Sequence, residues 1–389
     1  MDAPRTSLLI TNCSPYDAAE GSPLCAALIQ DGRIARIGPL EGPVEAEEVL
    51  DARGSILAPG LVDVHIQGAG GADVLDGTPE ALQTMSRTCA RFGVTGFLAT
   101  TVYRPGQVNH HLKIAAECTG SDLGGAHLLG AHLEGPFISV EKRGMIQPAC
   151  IAQPSSAILK DILALLGGSL RMMTIAPELP GGTGLIRTLA DSGVIASLGH
   201  SNAAYDQAVQ GFDAGITHVT HLFNAMPSLH HREPGPLGAI FERPEVTCQV
   251  ITDGVHVHPS VVRLAHNALG PRRLVPITDG MQAMGLPDGR YVYNGIPYES
   301  KDGTARYEDQ TLIGTAMGLN QMLARLIRFT GCDRAVAIKT ATQNAAQVLG
   351  LGQTKGGLAL GQDADLVLFR PDLSVYATIV SGRVVYRGQ

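Results

Sequence analysis

Residues 60–70 read GLVDVHIQGAG, an apolar run that ends in His65, Ile66 and Gln67 and then breaks into glycines. Side chains at positions i and i+2 of a strand point to the same side, so His65 and Gln67 look out together. The same pattern recurs along the chain. ILAPGLVDVHI is followed by VTGFLATT, HLLGAHLEGP, LRMMTIAPE, VIASLGHSN, ITHVTHLFN, VTCQVITDG and RLVPITDGM, each an apolar segment closed by polar or glycine-rich residues. Between them lie helical stretches such as TPEALQTMSRTCARFG, with Pro79 near its start and Gly93 at its end. AAYDQAVQGFDAG and LNQMLARLIRFTG are of the same kind. About eight strand–helix alternations predict a (β/α)8 barrel of the TIM type, with a doubly wound open sheet as the alternative.

The two ends of the chain have a different character. TSLLITNC and PLCAALIQDGRIARIG alternate like strands around an Asp31-Gly32 turn, and DADLVLFRP and YATIVSGRVVY do so around Ser381-Gly382. We expect the ends to fold together as a small β-sandwich domain, residues 1–58 plus 356–389, flanking a barrel over 59–355. Residues 288–310 are polar and turn-rich, and read as a β-ribbon insertion between two late barrel units.

Bulk properties exclude several classes. A chain of 389 residues, 44% hydrophobic, has room for a barrel and a smaller domain. A net charge of −7 leaves no basic stripe for nucleic acid. No run approaches the roughly 18 apolar residues that a membrane span needs, and MDAPRTSLLI lacks the basic leader and long apolar core of a signal peptide. Seven cysteines without Cys-x-x-Cys spacing argue for reduced thiols in the cytoplasm, and against a disulfide frame or cysteine-held zinc.

The chemistry lies where the strands end. His65, Glu134, His200, His221, Asp253 and Asp279 each fall at or just after the end of a different apolar run. In a barrel those ends form one rim, and their side chains converge over one pocket. A single histidine at such a place is ordinarily structural, but six ligand-type residues are not explained by packing. Glu134, His200 and His221 form the best ligand set: two imidazoles and a carboxylate leave a fourth position for water, as catalytic zinc requires. Iron, manganese or cobalt suit the same donors. Asp279, in PITDGM, is the candidate base for a water so activated.

In order, PGLVDVHIQGAGG, HLEGPF, APE, GHSNA, THLFNAM, REPG, DGVH, TDG and GQDADLV resemble the amidohydrolase superfamily and, within it, the N-acetylglucosamine-6-phosphate deacetylases. The likeness runs nearly end to end. It implies Glu134, His200 and His221 as ligands of one divalent ion, zinc foremost, and Asp279 as the general base that later protonates the leaving amine. It implies that the sugar phosphate is held by groups matching Asn224, Ala225, Arg232 and His256, with Met145, Leu312 and Gly314 lining the substrate. Arginine suits that task because its planar fork binds phosphate oxygens in pairs. A homodimer is implied as well. The remaining alternatives are an N-acetylgalactosamine 6-phosphate or unphosphorylated substrate, and a catalytically weak sugar-phosphate binder.

Two positions depart from the family pattern. Members with His-x-His on the first strand can hold a second metal, whereas this chain has His65 and Gln67 there. An amide is a weak ligand, so one tightly held ion is expected, with His65 and Gln67 as a second site left open. Relatives also carry Gly-x-His-x-Pro after HLEGPF, where this chain reads Gly144-Met145-Ile146-Gln147-Pro148. Ile146 cannot donate a hydrogen bond, so either Gln147 replaces it or the metal polarises the carbonyl alone, or the substrate differs.

Overall fold

The computed structural model describes residues 7–19, 21–40 and 42–389. Residues 1–6, on which the reading of the amino-terminus partly rests, lie outside them. Eight parallel strands form the central sheet: β1 (Leu61–Ile66), β2 (Val94–Thr101), β3 (His127–Glu134), β4 (Leu170–Ile175), β5 (Ile195–Leu198), β6 (Ile216–Val219), β7 (Thr247–Ile251) and β8 (Leu274–Ile277). Each pairs in parallel with the next in sequence. Every residue of β1, β2 and β8 is buried, as expected for strands with helices on one face and a filled barrel on the other. The ring closes just beyond the ends of β8 and β1, where the Asp279 N–H donates to the His65 carbonyl at 3.0 Å and the Gln67 N–H to the Gly280 carbonyl at 2.9 Å. The (β/α)8 expectation holds, and the open-sheet alternative does not.

Local chemistry sets the helix limits. The helix Pro79–Arg91 begins where the Thr78 hydroxyl accepts from the Ala81 N–H at 3.2 Å, with proline at the first position, where a missing N–H costs nothing. It stops before Gly93, at φ +78°. The helix Leu319–Thr330 ends in a left-handed Gly331.

The segment ILAPGLVDVHI is two strands rather than one. Ile56–Pro59 pairs antiparallel with Leu366–Phe369 in a separate sheet, whereas β1 begins after Gly60. A Cβ on Gly60 would lie 2.0 Å from the Thr95 hydroxyl, so only glycine lets the chain cross there beside β2. The separate sheet joins both ends of the chain, with Ile56–Pro59 linking Ser7–Pro15, Cys25–Gln30 and Arg33–Gly38 to Leu366–Phe369, Val375–Val380 and Arg383–Arg387. Ile10, Ile29, Ile34, Leu57, Leu366, Leu368 and Ile379 fill its core.

The ribbon has four antiparallel strands, Gly289–Tyr293, Ile296–Lys301, Thr304–Tyr307 and Leu312–Thr315. The last, beyond the expected 288–310, bonds to the segment after β8: the Thr315 N–H donates to the Asp279 carbonyl at 2.9 Å, and the Met281 N–H to the Thr315 carbonyl at 2.8 Å. Among the described residues, no helix is long and apolar enough to cross a membrane.

Candidate metal centre and substrate pocket

Glu134 closes β3, His200 follows β5 and His221 follows β6, so three of the four consecutive strands β3–β6 deliver one donor each to the rim. The Nε2 atoms of His200 and His221 lie 2.9 and 3.0 Å from Glu134 Oε1, and 3.0 Å from each other. His200 Nδ1 lies 2.7 Å from the Lys142 carbonyl. A carbonyl only accepts, so the ring proton sits on Nδ1 and the Nε2 lone pair faces the cluster. A carboxylate oxygen and imidazole nitrogens converging on one buried point suit a divalent cation between them, and the donor set matches zinc chemistry. Burial acts to raise the Glu134 carboxyl, but the nearby His65, His200 and His221 imidazoles hold it well below the usual carboxylate range. Burial likewise works against charge on His221, and the Glu134 carboxylate outweighs it, raising the imidazole pKa.

The neighbouring corner is built differently. His65, in β1, places Nε2 3.2 Å from Asp279 Oδ1 and 3.7 Å from Glu134 Oε1. Gln67 Nε2 donates to Asp279 Oδ1 at 3.0 Å and lies 3.2 Å from His65 Nε2, while Gln67 Oε1 is buried without a partner. Behind His65, Nδ1 lies 3.0 Å from Gln249 Oε1.

Backbone strain is concentrated here. His200, His221, Phe223, Ala225 and Asp279 are all left-handed, with φ of 48°, 28°, 76°, 52° and 48°. Each such non-glycine residue costs about 1–3 kcal/mol and persists only where its surroundings hold it. The His200 carbonyl accepts from the Ser139 N–H at 2.8 Å, and Glu178 of APE takes the Ser201 hydroxyl at 2.7 Å and the Asn202 N–H at 2.5 Å. Asp63 ties β1 to β8, accepting the Thr278 hydroxyl at 2.5 Å and the His65 N–H at 3.3 Å. Burial pushes its carboxyl up to about 7, against those hydrogen bonds.

A cavity of about 220 Å³ opens over the cluster, lined by Glu134, His200, His221 and Asp279 together with Met145, Asn224, Ala225, His256 and Leu312. Arg232 does not line it: this arginine is exposed, with Nη1 2.8 Å from His231 Nε2. Gly314 lies behind Asp279, where an added Cβ would meet the Asp279 carbonyl at 2.4 Å. Ile146 turns away into an apolar cluster with Val102, Ile138 and Cys150. The Gln147 amide donates to the Asn294 carbonyl at 2.7 Å and lines a larger adjacent cleft, so neither residue supplies a donor to the small cavity. Sequence reasoning missed Gln249 and His132, both polar residues in the middle of buried strands. His132 bridges the Val64 carbonyl and the Thr174 hydroxyl at 3.1 and 2.8 Å, and burial pushes its imidazole well below the usual range. The available signal was a polar side chain inside an otherwise apolar run, as in TCQVI.

A parallel barrel with a carboxylate, two imidazoles and a further aspartate on its carboxyl rim defines a barrel hydrolase of the metal-assisted type. The Amidohydrolase family model matches residues 56–385, and the chain belongs to that family. It is 38% identical over 365 residues to the N-acetylglucosamine-6-phosphate deacetylase of Bacillus subtilis, covering 92% of each chain. It is 35% identical to the N-acetylgalactosamine-6-phosphate deacetylase of Escherichia coli O157:H7, covering 92% of this chain and 93% of that one. The structure of a variant N-acetyl-D-glucosamine-6-phosphate deacetylase from Mycobacterium smegmatis, in complex with N-acetyl-D-glucosamine 6-phosphate, superposes with a TM-score of 0.89 at 32% identity, covering 98% and 99% of the two chains.

Proposed function

We propose that this chain removes the acetyl group of N-acetylglucosamine 6-phosphate by hydrolysis, releasing acetate and glucosamine 6-phosphate. The observation that carries this reading is the meeting of Glu134, His200 and His221 at one point beside Asp279, lining a cavity of about 220 Å³. Relatives that match over most of the chain bear the names of amino-sugar-phosphate deacetylases. Glu134, His200 and His221 would hold one divalent ion, zinc foremost, with iron, manganese or cobalt also suited. Such an ion, when bound, lowers the pKa of water toward about 7 and polarises a carbonyl.

The chain's own residues do the rest. The Asp279 carboxylate, only 7% exposed, takes the proton of the attacking water. As the amide C–N bond breaks, Asp279 returns that proton to the departing nitrogen. Gln67 Nε2, donating to Asp279 Oδ1, steadies the carboxylate. Asn224, the Ala225 backbone and His256 line the cavity and orient the sugar phosphate, and Met145 and Leu312 wall its apolar side. Arg232 would join them only from outside the cavity. One ion per chain is the reading, because Gln67 offers an amide N–H where a second ion would need an acceptor. A cytoplasmic location and a homodimer belong to the same proposal. All seven cysteines are free, in keeping with a reducing compartment.

The test is acetate release together with metal content. Asp279→Asn is expected to retain about one ion per chain and to lose about 10²–10⁴-fold in turnover. Near-normal turnover would remove Asp279 as the base. Faster hydrolysis of the galacto epimer would move the substrate to that sugar.

A further inference from the structure

Asp253, just past the end of β7, takes no part in the reaction described above, yet it is fully buried and bonded to His256, which lines the cavity. Its Oδ1 accepts the N–H groups of Val255 and His256, each at 2.9 Å. Its Oδ2 lies 2.7 Å from His256 Nδ1, between side chains only 5% and 0% exposed. A carboxylate accepts from that nitrogen, so the Nδ1 proton is fixed and Nε2 is the ring nitrogen left for other partners. The backbone carbonyl of Asp253 is in turn held by the Arg325 guanidinium, from the helix Leu319–Thr330. Between the two partners Gly254 sits at φ +79°, where a Cβ would lie 2.8 Å from the Phe329 ring. The turn that presents His256 therefore has little freedom to reshape.

The lining of the cavity gives this pair its significance. Among the described residues that line it there is no lysine or arginine, and His256 is the one imidazole outside the ligand trio. Resting on the reading above, in which the substrate carries a phosphate, we propose that Asp253 is a positioning residue that holds His256 so that its Nε2–H is the cavity's donor to the phosphate. Donation to a phosphate through Nε2 puts a proton on each ring nitrogen, and the Asp253 carboxylate 2.7 Å from Nδ1 is the counter-charge that arrangement calls for. Arg325 acts one step further back, by holding the Asp253 backbone.

The experiment uses the metal-loaded full chain. Asp253→Asn and His256→Asn are each expected to raise KM for N-acetylglucosamine 6-phosphate about tenfold, with kcat within about threefold. The double variant should be no worse than His256→Asn alone, because Asp253 acts only through that ring. Losses that multiply, or a fall in kcat at unchanged KM, overturn the proposal. Nitrogen-15 spectra of the imidazoles give a readout independent of turnover and of any change at position 253. In the wild-type chain, added inorganic phosphate should shift the His256 Nε2 resonance, and no shift overturns the assignment. If no sugar phosphate is hydrolysed but phosphate moves that resonance in the wild-type chain and not in Asp253→Asn, the functional reading fails and the positioning role stands; an equal shift in both chains overturns it.

Discussion

Two corners of the same rim share Glu134 and differ in almost everything else. On one side, His200 and His221 approach Glu134 Oε1 at 2.9 and 3.0 Å, and His200 is locked by the Lys142 carbonyl behind it. On the other, His65 stands 3.7 Å from the same oxygen, and the next side chain along the strand is an amide that donates to Asp279. The first corner has an acceptor on every arm, as a cation needs. The second places an N–H where a cation would otherwise meet Asp279, so hydrogen bonds alone complete it. On the proposed function, one substitution of imidazole by amide thus separates a corner suited to an ion from one suited to the base.

The contrast breaks most severely at Glu134. Glu134→Gln removes the charge both corners share, and metal content should fall toward zero. Turnover should fall by more than the about 10–100-fold typical of losing a group behind a ligand. Retention of about one ion per chain would show that the imidazoles alone suffice. Gln67→His puts an acceptor into the second corner, and elemental analysis should then find more than one ion per chain when metal is in excess. Unchanged metal content would mean that something other than the amide keeps the second corner free. The smallest effect is expected behind His65. Gln249→Met leaves the buried His65 Nδ1 and the His221 N–H without the oxygen they share and should cost about 1–3 kcal/mol in stability, measured by denaturant unfolding.

Much of this was legible in the sequence because the barrel strands are buried on both faces. Each reads as an apolar run, and the first polar residue after it marks the rim. Glu134, His200, His221 and Asp279 were found that way. The join at Gly60 was not, because ILAPGLVDVHI carries no polar break, and what divides it is a 2.0 Å conflict with Thr95 on the neighbouring strand. Nor does a motif show where Ile146 points. Its place in the Gly-x-His-x-Pro pattern put an alkyl chain where relatives have a hydrogen-bond donor, whereas the loop turns the side chain into packing with Val102 and Cys150. Loop direction depends on contacts distant in sequence, here between Gln147 and Asn294 of the ribbon. Arg232 illustrates the same limit, with a motif that suits phosphate and a side chain that lies on the surface.

The ribbon's final strand has a bearing on how the molecule is assembled in time. All three candidate cation donors precede residue 222, whereas the Asp279 carbonyl is held by the Thr315 N–H. A chain emerging from the ribosome thus carries its full set of metal donors before the clasp on its proton acceptor has been made. Chemistry waits for the last third of the polypeptide, because the ring that gathers these side chains closes only where the end of β8 meets β1.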